Sequence, residues 1–314
     1  MLIAAVLLAA VALALAWPIP ILLARSAWPT RSPAVALVLW QSIALAGGLA
    51  MIGSLFTYGV IPFGDTLLSG LRGLWSSVLD GAFPAEMRID HVLALCGALF
   101  LGIHLLLNLF ATFVRAARQQ HRHRLLVNLL SEPSADVPRT RVLDTQSALA
   151  YCLPGFTGSL TVLSAGLLAI LTADELRAVI AHERAHLSQR HHLVLLAFKS
   201  WHGALPWFPI TSKAQNAVAL LVEMLADDQA CHEVERRTLA RAIMLVGASP
   251  VLQTGPIALS RAEPGHEFPD GDVTTDRVRR LLHPTHPLAP ATGTAVTLAS
   301  VALVAVPTAM LLLA

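Results

Sequence analysis

His182 and His186 stand four residues apart in the sequence His-Glu-Arg-Ala-His. Two histidines at this spacing share one face of a helix, so both imidazoles can bind a single metal ion. Glu183 follows the first histidine and is placed to remove a proton from a water molecule on that ion. The pattern predicts a hydrolytic zinc site with His182 and His186 as ligands and Glu183 as the general base.

A third ligand is expected downstream, because a catalytic zinc site uses three protein ligands and keeps one position open. Glu223 begins the sequence Glu-Met-Leu-Ala-Asp, which places Glu223 and Asp227 one turn apart on one helix face. We expect Glu223 to bind the metal and Asp227 to accept the ring N–H of a ligating histidine. Asp228, Glu233 and Glu235 compete for the ligand role, but none of them is followed by an aspartate at the same spacing.

The helix that carries the histidine motif has a start signal. Thr172 and Glu175 form a capping-box sequence, in which the threonine side chain accepts from a backbone N–H and the glutamate reaches back. The helix is expected to run through Leu187 and could extend to Lys199. The two histidines therefore fall inside a helix, as their shared role requires.

The helix that carries the carboxylates is predicted to start at Thr211 or Ser212, either of which can cap it. Its apolar positions at helical spacing are Val218, Leu221, Val222 and Leu225. Residues 159–164 are predicted to form a short strand. Residues 255–271 are rich in proline, glycine and charge and predict a loop, followed by a short helix over 273–282.

The composition assigns the chain to the membrane. Hydrophobic residues make up 55% of the 314 residues and charged residues only 13%, whereas soluble domains carry about 25% charged residues. The net charge of +2 gives no basic excess that would bind nucleic acid directly. Three widely spaced cysteines exclude a disulfide framework. The composition therefore predicts an integral membrane protein.

Four stretches without Asp, Glu, Lys or Arg are each long enough to cross the hydrocarbon core as a helix. They cover residues 2–24, 34–60, 92–114 and 291–314. The chain then divides into three spans over 1–114, a polar domain over 115–287 and a fourth span over 288–314. We predict a mainly α membrane protein with four transmembrane helices and an α+β zinc protease domain.

Arginine in short loops marks the cytoplasmic side, because it resists transfer across the membrane. Arg25 and Arg31 occupy the loop between the first two spans, which has no acidic residue. The loop over 61–90 carries two arginines against four acidic residues, and four arginines without an acid follow the third span. We expect a multi-pass protein of the cell membrane, with the protease domain in the cytoplasm and both termini outside.

Two features near the spans allow two interpretations each. In the exterior loop over 61–90, apolar residues recur at helical spacing, which predicts a helix that lies on the membrane surface or packs against the spans. In the third span, His104 and Asn108 share one helix face. They are either functional groups within the membrane or polar bridges between helices.

Other residues near the motif could assist the chemistry. His191 follows His186 by five positions, about 140° around a continuous helix, so we do not expect it to share the metal. A donor to the oxyanion could come from any of four residues, and the sequence does not choose among them. These are His191, His192, Tyr151 and His232. Cys152 and Cys231 are expected to be small buried hydrophobic residues and not ligands.

Five segments resemble those of the BlaR/MecR-type integral membrane metallopeptidases, which are gluzincin-like. They are residues 151–155, 162–164, 172–186, 223–228 and 276–282. The layout of three spans before the protease domain and one after it is also similar. The resemblance implies zinc ligands at His182, His186 and Glu223. It also implies that Glu183 is the catalytic acid/base and that the site faces the cytoplasm.

In that family, an exterior β-lactam-binding domain switches on the cleavage of a cytoplasmic repressor. Because the sequence stops at Ala314, at the end of the fourth span, we expect no such C-terminal penicillin-binding sensor here. The input signal would then come through residues 61–90 or through a partner. The HtpX-like quality-control peptidases share both ligand motifs but have fewer spans before them.

The sequence thus predicts a membrane-embedded zinc endopeptidase that cleaves a cytoplasmic protein, such as a transcriptional repressor or itself, in signal transduction. Zinc is the expected cofactor. The expected partners are that protein substrate and membrane lipid, and the sequence allows a homo-oligomer. Two alternatives stay open: an HtpX-like protease for membrane-protein quality control, and a non-catalytic membrane receptor or scaffold.

Overall fold

The computed structural model describes residues 1–133, 140–153, 160–206, 209–248, 270–284 and 286–313. Their helices are α1 (Leu2–Ala16), α2 (Pro18–Arg25), α3 (Trp28–Arg31), α4 (Pro33–Gly59), α5 (Leu67–Asp80), α6 (Ile89–Leu130), α7 (Ala165–Ile170), α8 (Ala173–Ser188), α9 (His191–Ala204), α10 (Pro209–Ala230), α11 (Arg236–Gly247), α12 (Asp270–Leu282) and α13 (Pro290–Leu313). The strands are β1 (Ser131–Pro133), β2 (Thr140–Leu143), β3 (Ala150–Leu153) and β4 (Leu160–Ser164). The predicted mainly α class is confirmed, and the four strands form a small mixed sheet.

Four helical segments of the described chain are long and apolar enough to cross a membrane, as predicted. They are Leu2–Arg25, Pro33–Gly59, Ile89–Leu130 and Pro290–Leu313. The first bends at Trp17, where α1 ends and Pro18 opens α2. The third continues for 16 residues past Val114, its predicted end. No glycine or proline interrupts the chain between Gly102 and the end of α6, so nothing stops this helix where its apolar stretch ends.

The described chain divides into two compact units. The helical unit comprises Met1–Leu109, Trp201–Ala214 and Leu288–Ala314. The mixed unit comprises Phe110–Ser200 and Gln215–Pro287. In the helical unit, α4 packs against both α1 and α13. Small residues line the buried face of α4, and this lets the neighbouring backbones approach closely. They include Ala36, Ala46, Ala50 and Gly53.

The helical unit also contains the turn between α9 and α10, which the sequence analysis assigned to the polar domain. The Trp201 ring lies against Gly48 of α4, where an added Cβ would come within 2.7 Å of it. His104 Nε2 lies 3.0 Å from the carbonyl oxygen of Ala204, at the end of α9. His104 therefore hydrogen-bonds a helix end, as the bridging interpretation of this residue expects.

The loop over 61–90 contains the amphipathic helix that its periodicity predicts. In α5, Thr66 and Ser69 form a capping box at the start, and Gly81 ends the helix with φ 68°. The helix packs through Gly70, which lies against Val60 and Met1. Its large apolar side chains are exposed, and among them are Leu68, Leu71, Trp75 and Leu79. Gly70 therefore lies on the packed face of α5, and these four large apolar side chains are exposed in the described chain.

The mixed unit is built on a four-stranded sheet in the order β1-β2-β4-β3. β2 and β4 are parallel, and the two outer pairs are antiparallel. β4 lies within the predicted strand 159–164, of which Ser159 is outside the described residues. Ser164 ends β4 and caps α7 by accepting from the Leu167 N–H. Gly166 is required there, because a Cβ would overlap the carbonyl oxygen of Gln146.

α8 starts with the capping box that the sequence predicts. Thr172 accepts from the backbone N–H of Glu175, and the Glu175 carboxylate accepts from the backbone N–H of Thr172. Alanines on its inner face, Ala178 and Ala181, pack against α11 and α12 together with Leu239 and Leu281. Because these side chains are short, α11 comes close to α8, and α12 packs on α11.

The motif helix runs through Leu187, as predicted, and ends at Ser188. It does not continue to Lys199, because Arg190 adopts φ 52° before α9 begins. The predicted start of the carboxylate-bearing helix is wrong. α10 starts at Pro209, two residues before the predicted cap Thr211, and proline is favoured in a first helical turn. Most of the loop predicted over 255–271 lies outside the described residues.

Candidate metal centre

His182 and His186 lie one turn apart on α8 and point to the same place. Both side chains are buried, with 8% and 7% of their surfaces exposed. Their Nε2 atoms are 3.1 Å apart. The spacing predicted that the two imidazoles share a helix face, and the structure shows this arrangement.

Glu223 reaches the same point from α10. Its Oε2 lies 3.4 Å from Nε2 of His182, and its Oε1 lies 3.6 Å from Nε2 of His186. The three donor atoms all lie within 4.8 Å of one another, so this cluster could bind a metal ion. The spacing of Glu223 to Asp227 predicted this ligand, and the structure brings its carboxylate to the two imidazoles.

The donor set fits zinc in both chemistry and spacing. Two imidazoles and one carboxylate are a common ligand set of catalytic zinc, and they leave the fourth tetrahedral position open. Ligand atoms about 2.0–2.1 Å from a tetrahedral ion lie about 3.3–3.4 Å apart. The two Nε2 atoms are 3.1 Å apart, that of His182 lies 3.4 Å from Oε2 of Glu223, and that of His186 lies 3.6 Å from Oε1, all close to that value. One ion therefore fits between these side chains with only small adjustments.

Glu183 lies beside this cluster and is partly buried. The backbone N–H of Cys152 in β3 lies near its carboxylate and lowers its pKa. Burial raises the pKa of Glu183 to about 7, against the opposing charges of His182 and Arg277. A carboxylate with this pKa can both accept and return a proton near neutral pH.

Asp227 is almost completely buried beneath His182, with 1% of its surface exposed. Its Oδ1 lies 2.9 Å from Nδ1 of His182, although the ring N–H is not aligned for a hydrogen bond. The pairing therefore depends on charge and proximity. The Asp227 carboxylate lies on the Nδ1 side of the His182 ring. We expect it to orient the ring through Nδ1, so that Nε2 faces His186 and Glu223.

Arg277 of α12 is the residue that the motifs did not identify. Its guanidinium donates to both oxygens of Asp227, at 2.9 and 2.7 Å, and lies 2.8 Å from Oε2 of Glu223. It also lies 3.4 Å from Nε2 of His182. The sequence predicts a helix over 273–282 and a family resemblance over 276–282, but no spacing rule links Arg277 to residues 50 positions earlier in the chain.

The charges of the site explain its protonation. Burial alone would raise the pKa of Glu223, but Arg277 and the imidazoles outweigh it and hold this pKa well below its usual range. Burial would also raise the pKa of Asp227, but Arg277 and His182 outweigh it and lower this pKa.

Burial lowers the pKa of His186 to about 3, so its ring is neutral. Burial and Arg277 also lower the pKa of His182, but Asp227 and Glu223 outweigh them and raise it to about 9. His182 must therefore release a proton to bind a metal.

The competing carboxylates are engaged elsewhere or exposed. Asp228 accepts two hydrogen bonds from Arg280, at 2.8 and 2.7 Å. Glu235 lies at the start of α11, and Glu233 is exposed in the turn before it. Of the residues that the structure describes, only His182, His186 and Glu223 form a group that could hold a metal.

The candidate oxyanion donors lie at different places. His191 contacts the Nδ1 side of His186, away from Nε2. Tyr151 is buried in the sheet core against the ring of His123. The remaining two, His192 and His232, are exposed. Cys152 is buried and Cys231 half-buried, and burial raises the pKa of both thiols, as expected for hydrophobic packing.

Comparison with known families agrees with this chemistry. Residues 116–263 match the model of Peptidase family M48, and this region contains both ligand-bearing helices. No curated protein and no solved structure matches the chain. The match and the four spanning helices support a membrane metalloprotease.

Proposed function

We propose that this protein is a membrane-embedded zinc endopeptidase. The observation that carries the proposal is the convergence of His182, His186 and Glu223 at the spacing of one tetrahedral ion. The similarity of residues 116–263 to M48 peptidases supports it. These three residues would be the zinc ligands, and Glu183 the general base.

The residues around the ion would divide the work of peptide hydrolysis. Bound zinc polarises a carbonyl group and lowers the pKa of coordinated water towards about 7. Glu183 would take the proton from the attacking water and pass it to the leaving amine. Asp227 would hold the ring of His182, and Arg277 would keep Asp227 and Glu223 ionised and oriented.

The substrate would bind in an extended form beside β3. In the described sheet, β3 is an edge strand, and the backbone N–H of Cys152 in this strand meets the Glu183 carboxylate. An edge strand offers unpaired backbone groups to an added strand. A peptide paired with β3 would therefore pass next to the general base.

We further propose that the substrate is a cytoplasmic protein, such as a transcriptional repressor or the protease itself, and that cleavage serves signal transduction. The arginine-rich segments after the third span and before the fourth support a cytoplasmic site with both termini outside. Membrane lipid would surround the spans, and this layout is compatible with a homo-oligomer.

A second candidate is quality control of membrane proteins. The segment Trp201–Ala214 joins the two ligand-bearing parts of the chain, yet it clusters with the spanning helices. A peptidase whose ligand helices are joined by a segment that packs with its spanning helices would be suited to substrates in the membrane. Co-expression separates the two functions: loss of a repressor supports regulation, and turnover of misfolded membrane proteins with the repressor intact supports quality control.

Cleavage of an unfolded protein by the full chain in detergent tests the activity. We expect zinc-dependent cleavage that a chelator stops and added zinc restores. Glu183 acts only when it is deprotonated, and its pKa is raised to about 7. The rate should therefore fall as the pH drops below about 7, by up to tenfold per pH unit. A bound cation should lower the pKa of Glu183 and move this fall in rate to lower pH. Cleavage that persists in chelator, or that rises in acid, would contradict the proposal.

A further inference from the structure

The break between α8 and α9 changes the position of His191. On a continuous helix, His191 would lie about 140° around the axis from His186. Arg190 is instead the one non-glycine residue of the described chain with a positive φ, at 52°. Left-handed backbone is unfavourable for such a residue and persists only where the surroundings require it. The break brings Nδ1 of His191 to 3.0 Å from Nδ1 of His186.

The contacts of His191 form a short chain of hydrogen bonds. His191 is 2% exposed, and its Nε2 lies 2.8 Å from Oε1 of Gln189. The Gln189 amide nitrogen in turn donates to Oε1 of Gln229, at 3.5 Å. This donation leaves the Gln189 oxygen, which can only accept, facing the His191 ring.

The donors and acceptors in this series of hydrogen bonds follow from Gln189 Oε1, which can only accept. Because Gln189 Oε1 accepts, the hydrogen of a neutral His191 ring is on Nε2, and Nδ1 carries a lone pair. His186 must then donate from its Nδ1. Its Nε2 is left with a lone pair that points at His182 and Glu223, which is the form that binds a metal.

We propose that His191 is a positioning residue that fixes the tautomer and ring orientation of His186 for zinc. The inference rests on the proposed zinc function. In known metal sites a carboxylate, a carbonyl or water usually accepts from a ligating histidine. Here a second imidazole does so, held in turn by Gln189.

The test compares two nearly isosteric substitutions in the full-length protein. His191→Asn keeps an acceptor near the position of Nδ1, whereas His191→Leu removes it. Zinc affinity is measured by competition with a chelating dye. We expect the leucine variant to bind zinc about 10–100-fold more weakly and the asparagine variant to bind it within a few-fold of wild type. His192→Leu, at the exposed neighbouring position, is the control and should leave the affinity unchanged.

A second measurement does not depend on affinity. Nitrogen-15 NMR of labelled histidines should show the His186 proton on Nδ1 in wild type and lose this signature in His191→Leu. Equal zinc affinity in the leucine and asparagine variants, or a His186 proton on Nε2, would overturn the inference. Wild type that binds no zinc would instead overturn the proposed function, so the two failures are distinguishable.

Discussion

Replacing Glu183 with glutamine is expected to lower peptide hydrolysis by about 10²–10⁴-fold while zinc stays bound. Glutamine has nearly the same shape as glutamate, but its amide cannot take a proton from water. Glu183 lies beside the metal-binding cluster and is not part of it, so zinc content should not change. Cleavage rate and zinc content are measured on the same preparation.

Glu233→Gln provides the matched control for this variant. Glu233 is an exposed carboxylate in the turn after α10, and its replacement should leave cleavage and zinc content as in wild type. Glu183→Gln protein that keeps most of its activity would exclude Glu183 as the general base. If the variant loses its zinc as well, Glu183 helps to hold the metal, in conflict with the geometry.

Replacing Arg277 with leucine is expected to destabilise the metal-free protein by about 3–5 kcal/mol. The substitution leaves Asp227 and Glu223 buried without their guanidinium partner. Isolated buried charges are costly, because the protein interior solvates them poorly. Bound zinc would restore positive charge beside Glu223, so the zinc-loaded protein should lose less stability. Thermal unfolding of both forms in detergent measures the difference.

Arg279→Leu is the control on the same helix. Arg279 is largely exposed and, among the described residues, pairs with Asp276 one turn away, an arrangement worth at most about 1 kcal/mol. Its replacement should change stability by no more than that in either form. Equal small effects of Arg277→Leu and Arg279→Leu would show that Arg277 does not hold the buried carboxylates.

Local sequence patterns predicted the parts of the fold that depend on nearby residues. The four spans follow from uninterrupted apolar stretches, and the start of α8 follows from the capping box of Thr172 and Glu175. The approach of His182 to His186 needs only helix geometry. The prediction of Glu223 as the third ligand also needed its spacing to Asp227, which places the two carboxylates one helical turn apart.

Features that depend on distant contacts were not predictable in this way. Arg277 reaches the site because α12 packs on α11, which packs in turn on the alanines of α8, and neither segment alone predicts this packing. The position of His191 depends on one left-handed residue, Arg190, in a stretch without glycine or proline. The placement of Trp201 with the spans depends on the gap that Gly48 leaves in α4.

The zinc content of the purified full-length protein tests the metal centre most directly. Wild type should carry about one zinc per chain, and His186→Ala and Glu223→Ala should each lose most of it, because each removes one of three ligands. Wild type without zinc after equilibration with the metal, or undiminished zinc in a variant lacking both His186 and Glu223, would contradict the assignment.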